Sequence, residues 1–152
     1  MKIAISTDEY YPIIEILLKE VQKSGHEVIY FGPKENEKPQ DWTTITLKAM
    51  KALQAGQAEE GIVLCWTGTG CTLIANKCLG IRAALCIDGE TAKGARTWNH
   101  ANVLGLSLRL ITPILLKDIL DAWFSTPFSR DSWNLSQIEA INQIESQNET
   151  HF

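Results

Sequence analysis

The alternation of short apolar segments with amphipathic segments constrains the fold of this chain more than any other feature. Five apolar segments are predicted to be strands, and a segment with helical spacing of its apolar residues follows each of them. The predicted strands cover residues 2–7, 26–31, 61–65, 81–87 and 102–106. Because strands that alternate with helices pair in parallel, we expect an α/β fold with one open, five-stranded parallel sheet.

The predicted helices follow from apolar spacing and from capping residues. Asp41 is suited to cap the second helix, and Pro113 stands in a first turn, where its missing N–H is harmless. The predicted helices cover residues 11–23, 41–55, 72–78, 89–97, 112–124 and 133–147. We expect a single domain over residues 1–152, whose C-terminal helix, at about 130–147, packs on a partner subunit.

Composition and charge exclude several classes of function. The 152 residues carry a net charge of −4, whereas a nucleic-acid surface needs clustered Lys and Arg. The apolar runs are shorter than a membrane span, and no secretory leader pattern opens the chain. Four cysteines without CxxC spacing and three scattered histidines predict free thiols in the cytoplasm and no metal site.

Several residues with reactive or charged side chains are predicted to lie at one edge of the sheet. In open parallel sheets, ligands bind beyond the carboxyl ends of the strands. Asp8, Cys65, Asp88 and Arg109 all come at or just past such an end. We therefore expect the functional site at this edge.

The segment from Thr67 to Gly70 lies between a predicted buried strand and a predicted helix. Glycines in such a turn let backbone N–H groups approach an anion closely, and the helix terminus adds positive potential. The segment is neither a Walker A loop nor a dinucleotide GxGxxG loop. An ordinary tight turn is the alternative interpretation.

Cys65 ends the strand before this turn. A thiol beside a helix N-terminus ionises readily and can act as a base or a nucleophile. The alternative is a small buried residue at the end of an apolar strand. Cys71 has the same two interpretations, whereas Cys78 and Cys86 are expected to be structural.

A series of motifs along nearly the whole chain resembles the ribose-5-phosphate isomerase B / galactose-6-phosphate isomerase (RpiB/LacA/LacB) family. These motifs are Asp8, Cys65-x-Thr67-Gly68-x-Gly70, Ala75-Asn76-Lys77, Gly80-Ile81-Arg82-Ala83, Asn99, Asn102-Val103 and Arg109. The resemblance implies a Rossmann-like, three-layer α/β/α sandwich that forms a homodimer or homotetramer with sites between subunits. It also implies cofactor-free aldose–ketose interconversion of a sugar or sugar phosphate, in carbohydrate metabolism and the pentose phosphate pathway.

The resemblance also implies roles for individual residues. Cys65 would be the base that moves a proton between adjacent carbons through an enediolate, and Asn99 would hydrogen-bond that enediolate. Thr67 would assist ring opening, and Asp8 would contact sugar hydroxyls. The backbone N–H groups of the loop would hold the developing oxyanion, and these belong to Gly68, Thr69, Gly70 and Cys71.

The chain departs from the family pattern at positions expected to contact substrate. Glu9 follows Asp8 where the family usually has histidine, and Trp98 takes the place of the ring-opening histidine, with His100 nearby. Trp133 and Gln137 stand where the family has two arginines that bind phosphate through charge-assisted hydrogen bonds. The cations that could compensate are Arg109, Arg130 and Lys93.

These departures leave two further questions open. Trp66, Trp98 and Trp133 could stack on a sugar, or they could pack at a subunit interface. The first functional hypothesis is an isomerase with shifted substrate preference. The second is a non-catalytic family member, either a partner subunit or a sugar-binding protein.

Overall fold

A computed structural model describes residues 1–149 and contains one parallel sheet of five strands. The strands are β1 (Lys2–Thr7), β2 (Glu27–Phe31), β3 (Glu60–Cys65), β4 (Ala83–Leu85) and β5 (Val103–Ser107). Their order across the sheet is β2-β1-β3-β5-β4, and every neighbouring pair is parallel. The predicted α/β class and five-stranded parallel sheet are confirmed.

Six helices accompany these strands within residues 1–149. They are α1 (Pro12–Lys23), α2 (Trp42–Gln54), α3 (Thr69–Ala75), α4 (Gly89–Asn99), α5 (Pro113–Ser125) and α6 (Ser132–Glu149). Helices α1, α4 and α5 share one apolar core on one face of the sheet, and α2 and α3 share a second core on the other face. The result is the predicted three-layer α/β/α sandwich.

Strand residues alternate between the two cores because successive side chains point to opposite faces. Ile3 and Ile5 of β1 lie in the core with α1, α4 and α5, whereas Ala4 lies in the core with α2 and α3. Gly61 of β3 lets the second layer approach closely, since a Cβ there would be 3.3 Å from Met50 of α2. All of these strand positions are fully buried or nearly so.

Most elements lie within two residues of their predicted bounds, and the differences that bear on the site concern α3, β4 and α4. Helix α3 was expected at 72–78 but starts at Thr69, and the strand expected at 81–87 is reduced to Ala83–Leu85. Helix α4 continues past its expected end at 97 to Asn99. His100 then adopts a left-handed conformation (φ 47°) and ends the helix.

A buried ion pair connects the edge of the sheet at which the strands begin to the layer formed by α1, α4 and α5. Glu60, the first residue of β3, accepts a 2.8 Å bond from Arg96 Nη2 of α4 and a 2.8 Å bond from Trp123 Nε1 of α5. The Arg96 guanidinium lies over the rings of Trp123 and Phe128, 4.9 and 4.4 Å from their centroids. The charges are therefore paired and hydrogen-bonded, as burial requires.

None of the helices within residues 1–149 combines the length and the apolar content needed to cross a bilayer.

Candidate active site

The strand register brings Asp8 and Cys65 together at the carboxyl edge of the sheet. Thr7 of β1 pairs with Leu64 of β3, so the next residues, Asp8 and Cys65, lie side by side where these two strands end. On the other flank, Cys65 pairs with Ser107 of β5. This confirms the expected location of both residues at the edge where ligands of open parallel sheets bind.

A cleft of about 320 Å³ opens at this point, over the end of β3. Its lining combines an acid, a thiol, two threonines and two tryptophans. The lining residues are Asp8, Trp42, Cys65, Trp66, Thr67, Thr69 and Gly70.

Gly68 turns the chain from the end of β3 into α3. Its φ of 75° is in the left-handed region, which favours glycine. A Cβ at this position would lie 2.5 Å from Leu85 Cδ1 and 2.9 Å from the Leu106 carbonyl oxygen. Both the conformation and the space therefore require glycine. This turn is also the reason that α3 begins at Thr69, earlier than predicted.

Groups of the loop after β3 influence the ionisation of the Cys65 thiol. The Cys71 thiol has the largest effect, and the backbone N–H groups of Cys71, Gly68 and Gly70 act in the same direction. Despite the burial of Cys65, these groups lower the pKa of its thiol from 9.0 to about 5. The loop therefore favours the thiolate form of Cys65.

The pKa of Asp8 shifts in the opposite direction. Loss of solvent raises the pKa of its carboxyl group from 3.8 to about 6, and the charges of Cys65 and Glu9 add to the rise. Oδ1 of Asp8 is buried and has no hydrogen-bond partner within residues 1–149. Glu9 beside it accepts a 3.1 Å bond from the Tyr11 hydroxyl. An unpaired carboxyl oxygen at the cleft is an acceptor that a ligand hydroxyl could satisfy.

Aromatic rings and hydroxyl groups form the walls of the cleft. The rings of Trp66 and Tyr11 have centroids 5.9 Å apart, and the Trp42 ring lies against Gly70. The hydroxyls of Thr67 and Thr69 are 2.7 Å apart. Trp42 was not among the residues predicted for the site, although it directly follows the predicted helix cap Asp41.

Trp98 and Asn99 do not line this cleft. Trp98 is exposed and packs its ring over Gly94 of its own helix. Asn99 lines a separate cavity of about 410 Å³, together with Asn76 and Arg82. Within one chain, the structure does not bring these two predicted site residues to Cys65.

His100 does not line the cleft of its own chain. Its ring is buried, stacks on Phe128 with centroids 4.6 Å apart, and places Nε2 2.8 Å from the Ser129 carbonyl oxygen. The left-handed conformation that ends α4 directs the ring to this position. The contacts of His100 within one chain are therefore structural, and its predicted substrate contact stays a prediction.

Arg109 is the predicted cation that comes nearest to the loop. Its backbone N–H donates a 3.1 Å bond to the Trp66 carbonyl, and its side chain is exposed. Arg130 and Lys93 are also exposed. In the described part of the chain, no three His, Cys, Asp or Glu side chains converge as metal ligands would. All four cysteines are free thiols, as expected.

Comparison with known proteins identifies the family. The sequence model described as Ribose/Galactose Isomerase matches residues 3–141. Ribose-5-P isomerase B of Listeria innocua is 34% identical over 146 residues, covering 94% of this chain and 98% of that protein. D-erythrulose-4-phosphate isomerase of Pectobacterium atrosepticum is 41% identical over 96 residues, 63% of this chain and 62% of that protein.

A solved structure agrees with this result. The Clostridium thermocellum ribose-5-phosphate isomerase B has a TM-score of 0.89 and 36% identity, and the match covers 97% of this chain and 99% of that one. The chain therefore belongs to the Ribose/Galactose Isomerase family.

Proposed function

We propose that this protein is an aldose–ketose isomerase of a sugar phosphate and that Cys65 is its base. The observation that carries the proposal is that Cys65, whose thiol pKa is lowered to about 5, and Asp8 together line a cleft at the carboxyl edge of the sheet. The relatives named above, which act on ribose 5-phosphate or D-erythrulose 4-phosphate by their names, support the reaction class.

The proposed reaction moves one proton between adjacent carbons and a second proton between their oxygens, and it consumes no cofactor. The Cys65 thiolate takes a proton from the carbon next to the substrate carbonyl, which leaves an enediolate and a neutral thiol. The thiol then returns this proton to the adjacent carbon, while the hydroxyl proton of the substrate passes to the former carbonyl oxygen, so that the hydroxyl and carbonyl groups exchange places. Since a thiolate with a pKa of about 5 is a weak base, the rate depends on how well the site stabilises the enediolate.

The loop amides stabilise two anions in turn in this mechanism. In the unliganded chain the N–H groups of Gly68, Gly70 and Cys71 favour the ionised form of Cys65. When Cys65 becomes a neutral thiol, these groups no longer act on its charge, and negative charge appears on the substrate at the same moment. We propose that they then stabilise the enediolate oxygen, with the Thr69 N–H beside them.

Further roles in substrate binding are proposed for residues in and around the cleft. Asp8, with its unpaired Oδ1, would accept a sugar hydroxyl, and Thr67 would assist ring opening. Glu9 is near enough to Asp8 to influence its charge and would form part of the same wall. The faces of Trp42 and Trp66 would cover the C–H surface of the sugar. The exposed side chain of Arg109 would bind the phosphate in place of the family's arginine pair.

We propose that a second subunit completes the site, in a homodimer or homotetramer. Trp98 and Asn99 lie outside the Cys65 cleft of their own chain, yet Trp98 is exposed at the end of α4. Trp133 and Ile144 of α6 are also exposed, which is unusual for large apolar side chains. An interface over α4 and α6 would cover them and would bring Asn99 to a neighbouring subunit's substrate.

A non-catalytic role is the second candidate. Trp133 and Gln137 are exposed on α6 and carry no charge, so the usual phosphate ligands are missing from that helix. If Arg109 does not compensate, the protein would bind a sugar or a partner subunit without turning it over.

Activity on a panel of sugars separates the two candidates. Purified protein is incubated with ribose 5-phosphate, D-erythrulose 4-phosphate, galactose 6-phosphate and the same sugars without phosphate, and products are followed by NMR. We expect interconversion of at least one phosphorylated sugar and much less of its unphosphorylated form. Saturable binding without any product from the folded protein would contradict the isomerase proposal and support the non-catalytic one.

A further inference from the structure

The side chain of Trp66 faces the cleft from a fixed position. Trp66 is the first residue after β3, and its carbonyl oxygen accepts a 3.1 Å bond from the Arg109 N–H and a 3.0 Å bond from the Ser107 hydroxyl. The residue lines the cleft, and 51% of it remains exposed. A large aromatic side chain that is half exposed beside a cleft offers apolar surface to whatever binds there. Trp66 is therefore positioned to contact a ligand.

The cleft lies between two tryptophans that approach it from opposite faces of the sheet. Trp42 is the first residue of α2, and a Cβ on Gly70 would lie 3.1 Å from its ring. The ring of Trp66 instead contacts that of Tyr11, which precedes α1 and packs on the core that α1, α4 and α5 share. Since α1 and α2 cover opposite faces of the sheet, the two indoles bound the cleft on different sides.

Tyr11 and Glu9 lie behind the Trp66 ring. The centroids of the Tyr11 and Trp66 rings are 5.9 Å apart, which is within the distance range of favourable aromatic pairs. The Tyr11 hydroxyl donates a 3.1 Å bond to the Glu9 carboxylate, and the Thr7 hydroxyl donates a 2.8 Å bond to the Glu9 carbonyl oxygen. Neither Tyr11 nor Glu9 lines the cleft. These contacts support the indole from the side away from the cleft, so Trp66 separates the cleft from Tyr11 and Glu9.

The space in front of Trp66 is small. The cleft holds about 320 Å³, at the lower end of the volumes of about 300–1,000 Å³ that small-molecule sites have. In the proposed function the reacting carbons lie at Cys65, and the phosphate lies at Arg109, whose N–H bonds to the Trp66 carbonyl. The carbons between these two ends therefore pass Trp66. An added carbon would have to press against the supported ring, which carries the cost of overpacking.

We propose that Trp66 is a specificity-determining residue that limits the substrate to four or five carbons. Its indole, supported by Tyr11, leaves no room for the additional CHOH unit of a six-carbon sugar phosphate. Removal of the ring would join the cleft to the space in front of Tyr11 and Glu9, where the Glu9 carboxylate can accept a bond from the extra hydroxyl. The inference rests on the proposed function, from which it takes the positions of the reacting carbons and of the phosphate.

The test compares sugars that differ only in length. D-erythrose, D-ribose and D-allose form a series with the same configuration at every asymmetric carbon, and kcat/KM is measured for their terminal phosphates. The proteins are wild type, Trp66→Ala, Trp66→Phe and the control Leu47→Ala, which alters an exposed residue outside the cleft. We expect the six-carbon to five-carbon ratio of kcat/KM to rise about 10-fold or more in Trp66→Ala, to rise less in Trp66→Phe, and to keep its wild-type value in Leu47→Ala.

Three results of this comparison would overturn the proposal. The first is an unchanged ratio in a folded Trp66→Ala protein. The second is an equal loss on all three sugars, which would make Trp66 a general cover for the substrate. The third is a wild-type protein that turns over the six-carbon sugar as well as the five-carbon one.

Binding decides the proposal if no sugar is turned over. The aldonic acid phosphates of the same sugars carry a carboxylate in place of the carbonyl and cannot isomerise, and their dissociation constants are measured by calorimetry. Wild type should bind the six-carbon acid about 10-fold more weakly than the five-carbon acid, and Trp66→Ala should reduce this difference. Such selective binding without turnover would contradict the proposed function and support the length limit. Equal binding of the two acids by wild type, or no binding of any acid, would overturn the limit.

Fold and assembly are checked on the same samples. Circular dichroism and size-exclusion chromatography identify any variant that has lost its fold or its oligomeric state. Trp66→Phe keeps the test valid if alanine is not tolerated, because phenylalanine retains a smaller ring at the same position.

Discussion

A substitution of Glu60 tests how much its buried ion pair, at the edge of the sheet opposite the cleft, contributes to the stability of the fold. Its carboxylate pairs with Arg96 at 2.8 Å, and the two side chains are 10% and 12% exposed. It also accepts the Trp123 indole N–H at 2.8 Å. The substitution Glu60→Gln keeps the shape but leaves the guanidinium without a counter-charge. Breaking a buried pair in this way costs about 3–5 kcal/mol, and we expect the lower end because the amide oxygen can accept one of the two bonds.

The assay is urea unfolding at fixed protein concentration, followed by fluorescence and circular dichroism. A loss of about 3 kcal/mol in a chain of this size corresponds to a fall in Tm of roughly 6–12 °C. The matched control is Glu27→Gln, which removes the same charge from a 3.8 Å surface pair with Lys2 whose side chains are 53% and 77% exposed. That change should cost less than about 1 kcal/mol. Equal small losses in both variants would refute the assignment of the buried pair.

Four further predictions concern the cleft and the turn beside it. The pKa of Asp8 is raised to about 6, so folding favours its protonated form, and the free energy of unfolding should fall as pH rises from about 4 to 6. In urea unfolding at several pH values, Asp8→Asn should reduce this dependence on pH. The pKa of Cys65 is lowered to about 5, so stability should rise between about pH 5 and 9, and Cys65→Ser should remove that rise. Gly68→Ala should destabilise the fold by more than about 3 kcal/mol, because residue 68 has a left-handed backbone and the space for a Cβ is already occupied. Gly80→Ala is the control: its φ is 73°, but the space around it is open, so the substitution should cost about 1–2 kcal/mol. Similar losses in both variants would contradict the packing argument. Trp66→Ala should raise KM for the sugar severalfold at unchanged oligomeric state, and a change in assembly alone would assign Trp66 to the interface instead.

The architecture was predictable because it depends on periodicity. Strand and helix periods place most elements within a few residues of their observed bounds, and the edge rule for parallel sheets places Asp8 and Cys65 together. The start of α3 was not predictable from periodicity. Thr69 and Gly70 are weak helix formers, and the early start depends on the left-handed turn at Gly68.

The rest of the site depends on contacts that are distant in sequence. Trp42 reaches the cleft from the helix that follows a ten-residue connection, which periodicity cannot orient. Arg96 and Glu60 look like surface charges in the sequence, and only the packing of α4 on the sheet makes them a buried pair. His100 is adjacent in sequence to Asn99, but its left-handed backbone sends its ring to Phe128.

Exchange of a substrate hydrogen with solvent tests Cys65 as the base most directly. A sugar phosphate that the protein turns over is incubated in D₂O with wild type, Cys65→Ala or the control Cys78→Ala, and deuterium next to the carbonyl is measured by NMR. We expect incorporation with wild type and Cys78→Ala, and a rate lower by about 10²–10⁴-fold with folded Cys65→Ala. Wild-type rates of exchange and isomerisation in Cys65→Ala would contradict the account.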